Sequence, residues 1–184
     1  MAQQIIAFSQ TDTEAETQIL SPQPTSYEPP VGEGFWTYSD EAERGFSIRF
    51  DGELDMRMNQ NSKKSAKEII NNYDEEELAD ILFLYGELRN SRAIARVIVE
   101  KRNHKKIETS FQLKEVLGRF LPKAKEHKIL AQIFQAIRIE VNEELDVLKD
   151  FLQQVPNLLQ KEARLSVISY HSLEDRLVKR YIRT

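Results

Sequence analysis

The sequence predicts a mostly helical α/β chain, and two observations carry that expectation. Apolar residues recur at helical spacing from Ser65 to about Gln154, whereas after Pro156 a β-branched run, Leu165 to Tyr170, breaks abruptly into a capped helical pattern. A strand running into a helix is half of an α/β unit, and the chain shows too few other strand signals to complete a sheet around it. With 184 residues, 40% hydrophobic and 30% charged, there is enough chain for one sizeable domain with a buried core, while two complete domains would be a squeeze.

Residues 1–39 read as an irregular tail, because SPQPTSYEPPVGEG sets four prolines and two glycines where any helix or strand would have to run. Order is expected from Asp40. In GFSIRFDGELDMRMN, Phe46, Ile48 and Phe50 alternate with polar residues, as do Leu54, Met56 and Met58 after Asp51-Gly52, which predicts a β-hairpin or a paired extended loop over 40–64.

The helical stretch follows. Asp74 with Glu77 has capping-box spacing ahead of the stripe Leu78, Ile81, Leu82 and Tyr85. A second helix runs from about Ser91 with Ile94, Val97 and Ile98 inward. Thr109 and Gln112 offer another cap before Phe111, Leu113, Val116, Leu117 and Phe120, and Pro122 closes that helix. Ile129, Leu130, Ile133, Phe134, Ile137 and Val141 then repeat at three and four, and Leu145, Leu148 and Leu152 continue after a bend near Asn142. Leu165 to Tyr170 reads as a largely buried strand, with Ser172 and Asp175 capping a last helix whose Leu173, Leu177 and Tyr181 share one side.

The inventory excludes several chemistries. Without cysteine there are no disulfides, thiolate metal sites or cysteine nucleophiles. No apolar run approaches the length of a membrane span, and MAQQIIAFSQTDTE lacks the basic end and long apolar middle of a secretion signal, so a cytoplasmic protein without a membrane partner is expected. The three histidines, His104, His127 and His171, are far apart and lack carboxylates at metal-ligand spacing, so no metal is expected. Adjacent His171 and Ser172 do not make a nucleophile and base, and no G-x-S-x-G elbow is present, so capping explains Ser172 better than hydrolysis does. GEGF at 32–35 follows proline-rich sequence rather than a strand and lacks a third glycine, so it is no nucleotide loop.

Charge is unevenly spread. Residues 1–43 hold eight acidic residues and no Lys or Arg, leaving 26 basic against 22 acidic in the rest. Residues 101–128 alone hold nine Lys or Arg and three acidic residues. Lys101, Arg102, Lys105, Lys106, Arg119, Lys123, Lys125 and Lys128 on exposed helix faces could track a phosphate backbone, and a solvated face explains the same charges equally well.

Four segments in order, DEAERGFSIRFDGELDMRMN, ADILFLYGELRNSRAIARVIVEKR, FQAIRIEVNEEL and VISYHSLEDRLVKRYIR, resemble the RsmH (MraW) methyltransferases, from about Asp40 to Arg183. The resemblance implies transfer of a methyl group from S-adenosylmethionine to the exocyclic N4 of a cytidine in small-subunit (16S) ribosomal RNA, with that RNA or the small ribosomal subunit as partner. It also implies part of a Rossmann-like methyltransferase sheet with an inserted helical domain on the RNA side. By that analogy residues 40–64 belong to the methyltransferase domain, 65–130 to the insert and 131–184 to the return to the sheet. Candidates for lining the reacting site are Asp55, Arg57, Asn142, Ser169 and His171, the last at the carboxyl end of the expected strand, where open α/β sheets place reacting groups.

The departures are as informative. The family's G-x-G-G-H-S-type donor loop and D-L-G-V-S-S segment have no counterpart here, so no donor-binding residue carries over. Lys161, Glu162 and Ala163 stand where a Gly-Gly turn is usual, and the family's N-P-R-S-containing tail is missing. The expectation is a partial member, inactive by itself, with residues 1–39 foreign to the family. A helical module that binds RNA or protein without catalysis is the alternative.

Overall fold

The computed structural model describes residues 6–8, 43–160 and 163–183. Its elements are β1 (Ile6–Phe8), α1 (Ala66–Asn72), α2 (Glu75–Leu84), α3 (Ser91–Arg102), α4 (Ser110–Val116), a 3-10 turn (Gly118–Phe120), α5 (Glu126–Asn142), α6 (Glu144–Leu158), β2 (Arg164–Ser166) and α7 (Ser172–Arg183). They fall into two compact units, one of residues 36–144 and one of residues 1–35 with 145–184.

Local chemistry starts and stops the helices of the first unit. Ser65 and Glu68 form a reciprocal capping box at α1, and Asp74 and Glu77 do the same at α2, each satisfying two amides that the first turn leaves without helical partners. Thr109 accepts from the Gln112 amide at the start of α4. Lys101 and Arg102 close α3, where the helix dipole favours cations. α5 stops after Asn142 because Glu143 turns left-handed, at φ 51.

The apolar faces meet in one core. α2 packs most extensively on α3 and also against α5, burying Leu78 and Leu82, Ile94 and Ile98, and Leu130, Ile133 and Ile137 together with Leu113 and Leu117. Each such side chain contributes about 1.5–3 kcal/mol on burial. Ile133, Ile137 and Val141 sit in this core, so the unit runs through α5 to Glu144, past residue 130, the expected end of the insert. Gly86 lets α2 meet α5 closely: a Cβ there would lie 2.7 Å from the Leu82 carbonyl oxygen and 3.0 Å from that of Gln132. The Gln132 and Gln135 amides donate across this junction to the carbonyls of Gly86 and Tyr85.

Of the two forms expected around Asp51-Gly52, hairpin or paired extended loop, the hairpin is absent. The segment is irregular, and its backbone bonds go elsewhere: Glu53 N–H to Glu43 O, Met56 N–H to Arg44 O, and Leu54 N–H to Glu108 O. Glu53 makes an isolated bridge with Thr109. Asp51 faces α4, where its carboxylate accepts from the Phe111 amide and the Ser110 hydroxyl. The bond from the Phe111 amide holds the Asp51 carboxyl below its ordinary range. Alternating residues Leu54 and Met56 are buried nonetheless, because a polar-apolar alternation also suits an extended segment laid on a helical core. Phe111, in the first turn of α4, is exposed.

In the second unit, β2 covers Arg164–Ser166 rather than Leu165 to Tyr170, and it pairs antiparallel with β1, Ile6 opposite Ser166. The tail expectation for 1–39 is corrected at those three residues; the rest of the tail, GEGF included, lies outside the described residues. The strand is not buried as expected: Ile168 is 65% exposed and Tyr170 54%. α7 begins at Ser172, so the cap falls one residue earlier than expected, at His171. In α6, Leu148, Leu152 and Val155 are buried. Among the described residues no helix is long and apolar enough to cross a membrane.

Gly45 has φ 77, and a Cβ there would lie 2.4 Å from the Glu53 carbonyl oxygen. Gly45→Ala is therefore expected to lose on the order of 2 kcal/mol of stability, read as a lowered denaturation midpoint with an unchanged denaturant slope.

Candidate functional site

Three of the candidate residues meet in one polar network around the segment Glu53 to Ser62. Asp55 accepts from Arg57 and, at 3.4 Å, from Arg44 Nε, while Arg44 also donates to the Arg57 carbonyl. Arg57 Nη1 reaches on to the carbonyls of Gln60 and Ser62, at 3.1 and 2.7 Å. The hydrogen bond it donates to Asp55 raises the Arg57 pKa above its ordinary value. From the other side, the Asn142 amide closes the network: Oδ1 accepts from Met58 N–H at 2.7 Å, and Nδ2 donates to the carbonyls of Met56 at 2.8 Å and Arg138 at 2.9 Å. Between these anchors Met56 takes φ 55, an unusual conformation for a residue other than glycine.

A second polar cluster stands where α5 ends. Lys64 Nζ lies 3.1 Å from Glu140 and 3.2 Å from Glu143, and the Tyr73 hydroxyl donates to Glu140 at 2.6 Å. Burial, then the bond to Glu140, pushes the Tyr73 pKa up to about 12. Burial opposes the charge on Lys64, yet its bonds to Glu140 and Glu143 leave its pKa raised. Arg44, Lys64, Tyr73 and Glu140 had no place among the candidates. These partners are 11 to 79 residues away, and no local spacing announces them.

Ser169 and His171 belong to the other unit. His171 Nδ1 accepts from Glu174 N–H at 3.4 Å, so in a neutral ring Nε2 carries the proton, 3.6 Å from Glu174 Oε1. Glu174 Oε2 accepts in turn from Tyr170 N–H at 2.8 Å. The arrangement caps α7 with an imidazole and its own third helical residue.

The eight cations part company. Lys101, Lys105 and Lys106 are exposed around one groove between the end of α3 and α4. Arg119 is exposed with its guanidinium 4.8 Å from the centre of the Phe120 ring, and Lys123, Lys125 and Lys128 are exposed. Arg102 departs from its expected place on an exposed face: its guanidinium donates to the carbonyls of Ile70 and Tyr73, closing the end of α1, and burial lowers its pKa. For a methyl donor the described residues do not fit. Their only strands are the three-residue antiparallel pair, and no glycine turn leads from a strand into a helix to let backbone amides approach a nucleoside.

Asn142→Ala removes partners of both Met56 and Met58, and a stability loss of about 1–3 kcal/mol is expected, with faster hydrogen exchange at the Met58 amide. Tyr73 gives a pH test. Because its folded pKa is raised, its contribution is complete below the unfolded value of 10.0 and falls away as pH rises toward about 12. Chemical denaturation across that window should show the decline, and Tyr73→Phe should flatten it.

The profile of the MraW methylase family matches residues 36–184. Among curated relatives, the protein called ribosomal RNA small subunit methyltransferase H in Christiangramia forsetii is 60% identical over 145 residues, 79% of this chain and 48% of the relative. Its counterpart in Flavobacterium johnsoniae is 57% identical over 144 residues, 78% of this chain and 48% of the relative. That in Parabacteroides distasonis is 54% identical over 145 residues, with 79% and 48% covered. The chain thus spans about half the length of the curated relatives it matches. All four segments that carried the resemblance lie within the matched residues, and the chain belongs to the MraW methylase family.

Proposed function

We propose that residues 36–184 form part of an enzyme that methylates cytidine N4 in small-subunit ribosomal RNA, with S-adenosylmethionine supplying the methyl group in the cytoplasm. One observation carries this reading: identity of 54 to 60% with proteins named for that RNA, sustained over nearly four-fifths of the chain. In this reading the unit of residues 36–144 contains the inserted RNA-side domain, and residues 145–184 contribute to the Rossmann-like catalytic sheet. Asp55, Arg57 and Asn142 act by holding the segment Met58 to Asn61 in one shape, since their polar groups are engaged within the protein. Ser169 and His171 are the candidates on the sheet side.

The second reading, a module that binds RNA or protein without catalysis, is favoured by the lack of a donor cradle among the described residues. Two measurements separate them. Residues 40–183 substituted for the corresponding segment of the Christiangramia forsetii relative should support labelled methyl transfer to small ribosomal subunits, with N4-methylcytidine recovered by mass spectrometry. An inactive graft in an otherwise active relative removes the enzymatic reading. The 184-residue chain alone is expected to give no heat with S-adenosylmethionine in calorimetric titration; micromolar binding would show that it holds a donor site after all.

A further inference from the structure

The groove between α3 and α4 has a volume of about 340 Å3 and carries Lys101, Lys105 and Lys106 with His104 on its walls. Val116, half-buried, gives it an apolar surface, while Ile107 beneath is buried in the core. One carboxylate, Glu115, shares the wall. The Gln112 amide is pinned there by Glu108 N–H, which donates to Oε1 at 2.8 Å.

What distinguishes this groove from an ordinary solvated face is where the neighbouring carboxylates have gone. Residues 101–128 contain three acidic residues, Glu108, Glu115 and Glu126. Glu108 is paired with Lys67 at 3.0 Å and Glu126 with Lys114 at 2.6 Å. The hydrogen bond from Lys114 lowers the Glu126 pKa and holds the carboxylate engaged. Two of the three local acids are thereby spent on lysines outside the groove, and Lys101, Lys105 and Lys106 form no ion pair among the described residues. Three cations against one carboxylate in a concave site focus a positive potential there.

We propose that this groove is a phosphodiester site for unpaired RNA, with the three lysines on backbone phosphates and the half-buried Val116 side chain against a sugar or base. Its volume suits a nucleotide rather than a bare phosphate ion, and the apolar surface would be idle beneath an inorganic anion. The choice of RNA as the polyanion rests on the proposed function; the existence of an anion site does not. Arg102 has no part in it, because its guanidinium is held by the carbonyls of Ile70 and Tyr73.

The test needs no methyl donor. Fluorescence anisotropy of the 184-residue chain with a short labelled single-stranded RNA, across a potassium chloride series, reads affinity and its salt dependence. The combined variant K101A/K105A/K106A is expected to bind about tenfold or more weakly, with the slope of log affinity against log salt reduced by about 2. Its melting should change little, since all three side chains are exposed and only Lys101 adds a charge to the last turn of α3. Arg92→Ala, in the acidic hollow with Glu75, Glu76 and Asp80, should bind like the unaltered chain. Unchanged affinity and slope in the lysine variant would overturn the proposal, as would equal competition by polyglutamate, which would make the groove a site for acidic protein. Groove failure beside an active graft leaves the enzymatic reading standing; an inactive graft beside intact groove binding leaves the groove standing.

Discussion

The side-chain amide of Asn142 spans a gap that the backbone cannot close by itself. The segment from Glu53 to Ser62 forms no helix or strand, yet it carries Leu54 and Met56 into the core, where unpaired amides and carbonyls are costly. Asn142 supplies both an acceptor and a donor to it from the last turn of α5. The same residue marks where α5 ends, because Glu143 turns left-handed immediately afterwards. Helix end and loop thus position one another, and Arg44, Asp55 and Arg57 complete the closure from the opposite side.

This dependence changes what the polar residues are for. An arginine and an asparagine beside an irregular loop look like substrate contacts in a sequence. Here Arg57 is occupied by Asp55 and by two carbonyls of its own loop, and Asn142 by three backbone groups. They act on the surface they hold rather than on a ligand directly. Charge is redistributed in the same way: net charge is −4, but ion pairs absorb particular carboxylates and leave one groove with lysines around it. Among eight cations of similar appearance, Arg102 alone donates its guanidinium to the carbonyls at the end of α1.

How much was legible depends on the range of the interaction. The Asp74-Glu77 box, the Thr109 cap, the start of α3 at Ser91 and the break at Asn142 are matters of three or four neighbouring residues, and each stands where spacing puts it. The Ser65-Glu68 box had the same signature and was there to be read. The hairpin failed for the opposite reason. Alternation reports which residues face an apolar surface, not which backbone their amides will join, and those of Glu53, Leu54 and Met56 join Glu43, Glu108 and Arg44.

By itself the sequence determined the helices, their caps, their apolar faces and the family, because all of these reside in short-range pattern or in residue identity. Tertiary structure alone decided that Tyr73, Lys64 and Glu140 form one cluster, that Asn142 bridges to Met56 and Met58, and that Lys101 lines a groove while Arg102 closes a helix. Hydrogen bonds and ion pairs need atoms about 3 Å apart, and for residues dozens of positions apart only the folded core brings them there.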